Sequence, residues 1–269
     1  MPSPALLALI RARPPGTTVL DVGGWFRPLP EATHVVDRMP YETRGGQLTT
    51  APLPGEHFTR ATWTQADFLQ SGFRLPFGDR AFAFVYCGHT LEDLEQPEPL
   101  LHEIMRVGQA GCICSPTRLS EQTRGVRDRT TSAPGHPHHH WIVEPVDGGL
   151  RFCAKPDSLP PENHAALLPL RHYERLSARL GGSVAGEFEL MWHDHLPFAV
   201  VRGGRAAELA RTFTHDQQVR ISDRLLDPLV RRGRAIKYRL RHPLAPITPE
   251  QWWSHMLEIS RPFSSIPLV

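Results

Sequence analysis

The chain has 269 residues, enough for one large domain or for one domain with an extension. Apolar residues make up 40% and charged residues 22%, a globular balance that excludes a long disordered composition. The net charge of +2 excludes a strongly basic nucleic-acid binder, and four cysteines with no CxxC pair point to a reducing cytoplasm, not a disulfide framework.

In chain order, the first element is SPALLALIRAR, a helix with Ser3 as its N-cap and Pro4 in its first turn. Its apolar part is too short to span a bilayer, and it lacks the flanks of a secretion signal. TTVLDVGG (17–24) is an apolar run ending in glycines, the pattern of a buried parallel strand and a tight turn. THVVDR (33–38) reads as a second strand ending in an acid, and TWTQADF (62–68) as a third ending at Asp67. FAFVYCG (82–88) is a fourth strand and GCICSP (111–116) a fifth. Between them PEPLLHEIMRVG (97–108) has apolar residues at 100, 101, 104, 105 and 107, which predicts a helix closed by Gly108.

The stretch 117–140 is polar and reads as loop. GLRFCAK (149–155) suits a strand, LLPLRHYERLSARLGG (167–182) a helix with a glycine stop, and EFELMWHDHLPFAVV (187–201) one or two late strands. Residues 205–242 read as one or two long polar helices. TPEQWWSHMLEI (248–259) opens with Thr248 as cap, Pro249 in the first position and Gln251 in the third. The expectation is an α/β fold: a doubly wound, mostly parallel, Rossmann-like sheet with helices on both faces. Residues 1–204 would form that domain, and residues 205–269 a C-terminal helical extension packed on it.

Open parallel sheets bind ligands beyond the carboxyl ends of their strands. Three such ends here carry glycine or acid: Asp21 with Gly23 and Gly24, then Asp37, then Asp67. Glycine admits a ligand close to the backbone, an acid after the second strand can accept from ribose hydroxyls, and one after the third from an adenine amino group. Each acid taken singly also suits a helix cap.

The run from Asp67 through LPFGD, FAFV, HTLED and EIMRVGQAG resembles the class I S-adenosylmethionine-dependent methyltransferases, within the bacterial group that shares a methyltransferase type 11 core. The likeness covers about residues 17–141. It is nearest to a subgroup marked by RVG, SR-x-x-EQ and HH-x-W. The resemblance implies that S-adenosyl-L-methionine is the cofactor. Asp21, Gly23 and Gly24 would then shape the pocket for its methionine end. Asp37 would bind the ribose, Asp67 and Phe68 would frame the adenine, and Cys87, Gly88 and His89 would lie beside the sulfonium. The sequence departs from the family pattern at Trp25 and Arg27, where glycines are common, at Ala83, usually an acid, and at Asp93, often a histidine.

PGHPHHHWIVE (134–144) packs four histidines into five residues. Three readings stay open: a polar loop, a substrate lid with one histidine as general base, or a metal site joined by Cys112, Cys114, His193 or His195. On an extended backbone His138 and His140 would point away from His139. Cys112 and Cys114 read as core residues, and Trp141 and Trp192 as core or rim aromatics. Arg118 and Glu121 are either substrate orienters or a loop salt bridge. RRGRAIKYRLRH (231–242) reads as a solvated helix face, with an anionic substrate, a membrane surface or an acidic partner as alternatives.

The sequence thus predicts a cytoplasmic, biosynthetic enzyme that transfers a methyl group to an oxygen or nitrogen of a small molecule, of natural-product or glycan type. His89, His138 and His139 are the candidate catalytic residues, and no metal ligand is assigned. No nucleic-acid partner and no membrane span are expected, and a homodimer is the assembly considered. Two alternatives stand beside this reading. One is a catalytically inactive binding protein on the same fold, motivated by Trp25, Arg27 and Ala83. The other is a metal-dependent enzyme using the cluster at 136–140.

Overall fold

A computed structural model describes residues 2–45, 52–68, 70, 72–126, 133–160, 164–180 and 185–241. In chain order the elements are α1 (Pro4–Arg11), β1 (Val19–Val22), β2 (His34–Asp37), β3 (Trp63–Gln65), β4 (Phe84–Gly88), α2 (Glu98–Val107), β5 (Ala110–Pro116), α3 (Arg118–Glu121), β6 (Trp141–Val146), β7 (Gly149–Ala154), α4 (Lys155–Ser158), α5 (Leu170–Leu180), β8 (Glu187–His193), β9 (Phe198–Val201), α6 (Gly203–Asp216) and α7 (Ile221–Arg241). The helix expected at 248–259 lies outside the described residues. No described helix is long and apolar enough to cross a membrane.

The described residues divide into two compact units: one within 2–114 with 189–196, and one within 115–188 with 197–241. The first unit holds a six-stranded sheet in the order β3-β2-β1-β4-β5-β8. All four pairings from β3 to β5 are parallel. This is the α/β class expected, a central, mostly parallel sheet flanked by helices. The strands read cleanly from sequence because each is buried along nearly its whole length, so each is a continuous apolar run. One sheet face supplies Val19, Val35, Phe84, Tyr86, Cys112 and Cys114 to a core that also takes Leu6 and Ile10 of α1. Ser3 caps α1 by accepting from Leu6 N, and its own hydroxyl donates to Glu189. The cysteine pair is therefore core, as expected.

The second unit is built on a three-stranded sheet in the order β6-β7-β9. β6 and β7 form an antiparallel hairpin, closed by Asp147 and Gly148, both at positive φ. This is the Asp-Gly turn that matches strand twist. Ile142, Cys153 and Ala206 form one apolar cluster, and Leu119, Leu168 and Ala185 another. Two local expectations are corrected. The stretch 117–140 is not all loop, because Thr117 caps the short helix α3 by accepting from Ser120 N. The third strand also ends at Gln65, two residues before Asp67, and its last ladder bond runs from Ala66 N to Asp37 O.

Candidate functional site

The chain runs outward through β1, β2 and β3, then crosses to the other side of β1 to lay down β4. The switch point of the sheet therefore lies between the carboxyl ends of β1 and β4, where open α/β sheets open a crevice. Gly23 follows β1 there with φ +79°, and a Cβ on it would fall 1.9 Å from Thr90 Oγ1. Only glycine permits both the backbone turn and this approach.

Asp21 and Asp37 are both buried. Asp21 Oδ2 accepts from Leu29 N at 2.7 Å. Asp37 accepts from Trp25 N (2.9 Å) through Oδ2 and from Met39 N (2.8 Å) through Oδ1. The two acids thus brace the GGWFRPL turn. Burial pushes Asp21 up to about 7, and the nearby Asp37 adds to the rise. Burial likewise pushes Asp37 up to about 6, against the pull of its backbone hydrogen bonds. Trp25, which stands where glycine is common, lies in the core and donates from Nε1 to Thr43 Oγ1 at 2.7 Å. Arg27 is exposed.

Asp67 is half-buried, with Arg38 Nε 3.8 Å from Oδ1, and Phe68 meets Phe73 edge-on. At the end of β4, Cys87 is buried and its thiol is held well above its usual range, mainly by burial, with the charges of Glu92 and Asp21 adding. His89 has φ +55°, a strained conformation for a non-glycine residue. Its Nδ1 lies 3.4 Å from Glu92 Oε1 and its Nε2 3.9 Å from Cys114 Sγ. Glu92 is 1% exposed, and neither carboxylate oxygen has a hydrogen-bond partner among the described residues.

These strand ends bear on the cofactor that the family implies. Asp21, Asp37 and Glu92 bring three buried carboxylates to the ends of β1, β2 and β4, and Glu92 has no hydrogen-bond partner there. A low-dielectric acidic cluster favours a cation. S-adenosylmethionine carries two, a sulfonium and an ammonium, so the residues present fit it.

In the second unit the histidine cluster is a turn and not an extended strand: His139 N donates to His136 O at 3.2 Å. The alternation expected for His138, His139 and His140 therefore does not arise. The turn wraps the buried carboxylate of Glu121. Oε1 of Glu121 lies 2.8 Å from His136 Nδ1 and 3.0 Å from His139 Nδ1. Lys155 Nζ donates to Oε2 at 2.5 Å and to His136 O at 2.5 Å. Burial alone would raise Glu121, but the hydrogen bonds from both imidazoles and the Lys155 charge hold it well below the usual carboxylate range.

Three potential ligand atoms of Glu121, His136 and His139 lie close enough to share an ion. The two rings, however, are stacked 4.4 Å apart and only 12° from parallel. One ion cannot lie in both ring planes without a rotation, and Lys155 already balances the carboxylate. The geometry favours a hydrogen-bonded hub. His138 meets His139 edge-on at 4.6 Å. Arg118 pairs with Glu144 and not with Glu121. His193 lies on the first unit, exposed and paired with Asp194.

Sequence reasoning passed over Glu92 and Lys155. Glu92 sat inside the HTLED run without a role, and Lys155 read only as the end of a strand. An ionisable side chain in an otherwise apolar setting was the available signal.

Residues 38–115 match the family model described as "Methyltransferase domain". No curated protein matches the chain. Among solved structures, a SAM dependent methyltransferase from Aquifex aeolicus is 18% identical, over 38% of this chain and 58% of that one, with a TM-score of 0.27. An S-adenosylmethionine dependent methyltransferase from Mesorhizobium loti is 14% identical, over 77% and 78%, with a TM-score of 0.30. The chain thus spans less than two thirds of the Aquifex protein. At these scores the assignment rests on the family model and the strand order. The match to the methyltransferase domain thus falls on residues 38–115, the stretch that carries β3, β4, α2 and nearly all of β5.

Proposed function

We propose that the protein transfers a methyl group from S-adenosylmethionine to an oxygen or nitrogen of a small molecule, with His89 as general base. The observation that carries the reading is the His89–Glu92 pair at the end of β4, beside the switch point. Asp21, Gly23 and Gly24 would hold the methionine end and Asp37 the ribose. Asp67 and Phe68 would frame the adenine, and Cys87 and Gly88 would line the reacting centre. The cofactor, when bound, supplies an activated methyl group, so the protein has mainly to align an acceptor and remove its proton.

Glu92 faces Nδ1 at 3.4 Å and would stabilise the imidazolium that forms when Nε2 takes the acceptor's proton. In the second unit Glu121 holds His139 through Nδ1, with His138 against its ring, and these two remain proposed catalytic residues in their own right. A small natural-product or glycan-type acceptor is the substrate class this chemistry suits.

One observation supports the inactive alternative: the main-chain amides of Trp25 and Met39 already engage both oxygens of Asp37. The experiment that separates the two readings is release of S-adenosylhomocysteine, followed by mass spectrometry, when the protein meets S-adenosylmethionine and a metabolite extract. Acceptor-dependent release that is lost in His89→Asn supports methyl transfer. Cofactor binding without any release supports the inactive reading.

A further inference from the structure

The longest described helix, α7, belongs to the second unit and is fastened along one side. Asp223 Oδ2 accepts from Arg175 Nη2 at 2.7 Å, Asp227 Oδ1 accepts from Leu170 N at 2.6 Å, and Arg234 pairs with Glu174. All three partners stand on α5. At 3.6 residues per turn, positions 223, 227 and 234 fall within an arc of about 40°.

The opposite side of the helix carries its apolar residues. Ile221, Leu225, Leu229, Ile236 and Leu240 fall within an arc of about 100°, roughly half a turn from the anchors. A surface helix ordinarily lays such a stripe against the core. Here the stripe faces solvent: Leu225 is 71% exposed, Leu229 67% and Leu240 80%. Six of the eleven large exposed apolar side chains among the described residues stand on this one helix. Apolar exposure gathered in one place marks an interaction surface, whereas scattered single residues do not.

The charge on the same helix selects the partner. Its two acids, Asp223 and Asp227, are both buried. Arg224, Arg232 and Lys237 are exposed. Arg232 falls inside the apolar arc, and Arg224 and Lys237 stand on its two flanks. A second copy laid on this stripe would bring the cations of one helix onto those of the other. An anionic surface meets the same charges favourably.

We propose that α7 is an interfacial helix that docks the protein onto an anionic lipid surface. The apolar side chains would enter the boundary between headgroups and acyl chains, with the cationic groups at headgroup level. Apolar burial and electrostatic attraction then both contribute to binding. The helix lies on the surface and does not cross it, consistent with its many charges. None of these residues belongs to the strand ends of the first unit, so the surface does not rest on the methyl-transfer reading.

The test sediments the full chain with two kinds of vesicle, phosphatidylcholine alone and phosphatidylcholine mixed equally with phosphatidylglycerol. The expected result is binding to the mixed vesicles, little to phosphatidylcholine alone, and weakening as salt rises. Replacing Leu225 and Leu229 together by glutamine should weaken binding by about tenfold or more. Arg232→Gln should weaken it less. Leu180→Gln, at an exposed apolar position on α5, should leave it unchanged. Thermal melts check that each variant is folded, and the stripe positions, being exposed, leave the fold intact. Sedimentation equilibrium without lipid should show no self-association through the stripe. Absence of binding to the mixed vesicles, equal binding to both kinds, or binding indifferent to the double substitution overturns the proposal. So does a wild-type dimer that the double substitution splits, since a second copy then covers the stripe.

Discussion

Nδ1 of His139 lies 3.0 Å from Oε1 of Glu121, 18 positions earlier in the chain. That contact joins the EQ pair of α3 to the HHHW run before β6. It explains why both local patterns occur in one protein: the histidines fold around a buried carboxylate that Lys155 neutralises from its other side.

Removing that carboxylate's charge should therefore destabilise the second unit strongly. Glu121→Gln leaves the Lys155 ammonium buried without its counter-charge. Such losses run at about 3–5 kcal/mol. Chemical denaturation of the variant should show a loss in this range. A loss under about 1 kcal/mol, the level of an exposed pair, would contradict the hub.

The same carboxylate sets an acid limb. Its folded value is depressed, so its contribution is fully present above the ordinary glutamate value of about 4.3 and is lost as pH falls through the folded value. Below about pH 4.3 wild type should therefore lose stability more steeply than Glu121→Gln. Parallel pH curves for the two proteins would count against the assignment.

Gly135 reaches φ +53°, and a Cβ on it would meet the Glu121 Cα at 2.6 Å. Gly148 has φ +75° with nothing within 4 Å. Alanine at Gly148 carries only backbone strain, about 1–3 kcal/mol, while alanine at Gly135 adds a clash of similar size. Thermal melts should rank Gly135→Ala as the more damaging of the two, and the reverse ranking would mean that the turn does not sit on Glu121.

The buried acids of the first unit behave oppositely to Glu121. Asp21 is raised to about 7 and Asp37 to about 6, so their stabilising contribution is present below the unfolded value of about 3.9 and is lost as pH rises through those values. A bound sulfonium favours the ionised forms. Affinity for S-adenosylmethionine should rise between about pH 5.5 and 8, with proton release on binding. S-adenosylhomocysteine, which lacks the sulfonium charge, should show a weaker dependence. A flat profile for S-adenosylmethionine would separate these acids from the ligand.

His89→Asn should lower turnover by about 10²–10⁴ at unchanged cofactor affinity, the usual range for loss of a general base. Glu92→Gln should lower turnover less, should shift the pH profile through His89, and should weaken cofactor affinity through the lost acidic charge. Equal kinetics for wild type and His89→Asn would remove His89 from the chemistry.

The sheet was legible because β1, β4 and β5 are buried along both faces, and a buried parallel strand is a bare apolar run. The acids and glycines at the strand ends were legible too, because they stand out against such runs. What the sequence concealed depended on contacts between distant segments. The strand β6 follows directly on a polar turn, and WIVEPV carries no break to mark its start. Trp25 suggested a damaged glycine loop, yet its indole fills the core and its amide ties down Asp37. The convergence of His136, His139 and Lys155 on Glu121 has no periodic signature, so only the tertiary fold brings them together.

The most direct measurement is calorimetric titration of S-adenosylmethionine into wild type and into Asp37→Asn, with melts confirming that both are folded. One-to-one binding to wild type, weakened about tenfold or more in Asp37→Asn, is the predicted result. No binding of either S-adenosylmethionine or S-adenosylhomocysteine to folded wild type would contradict it.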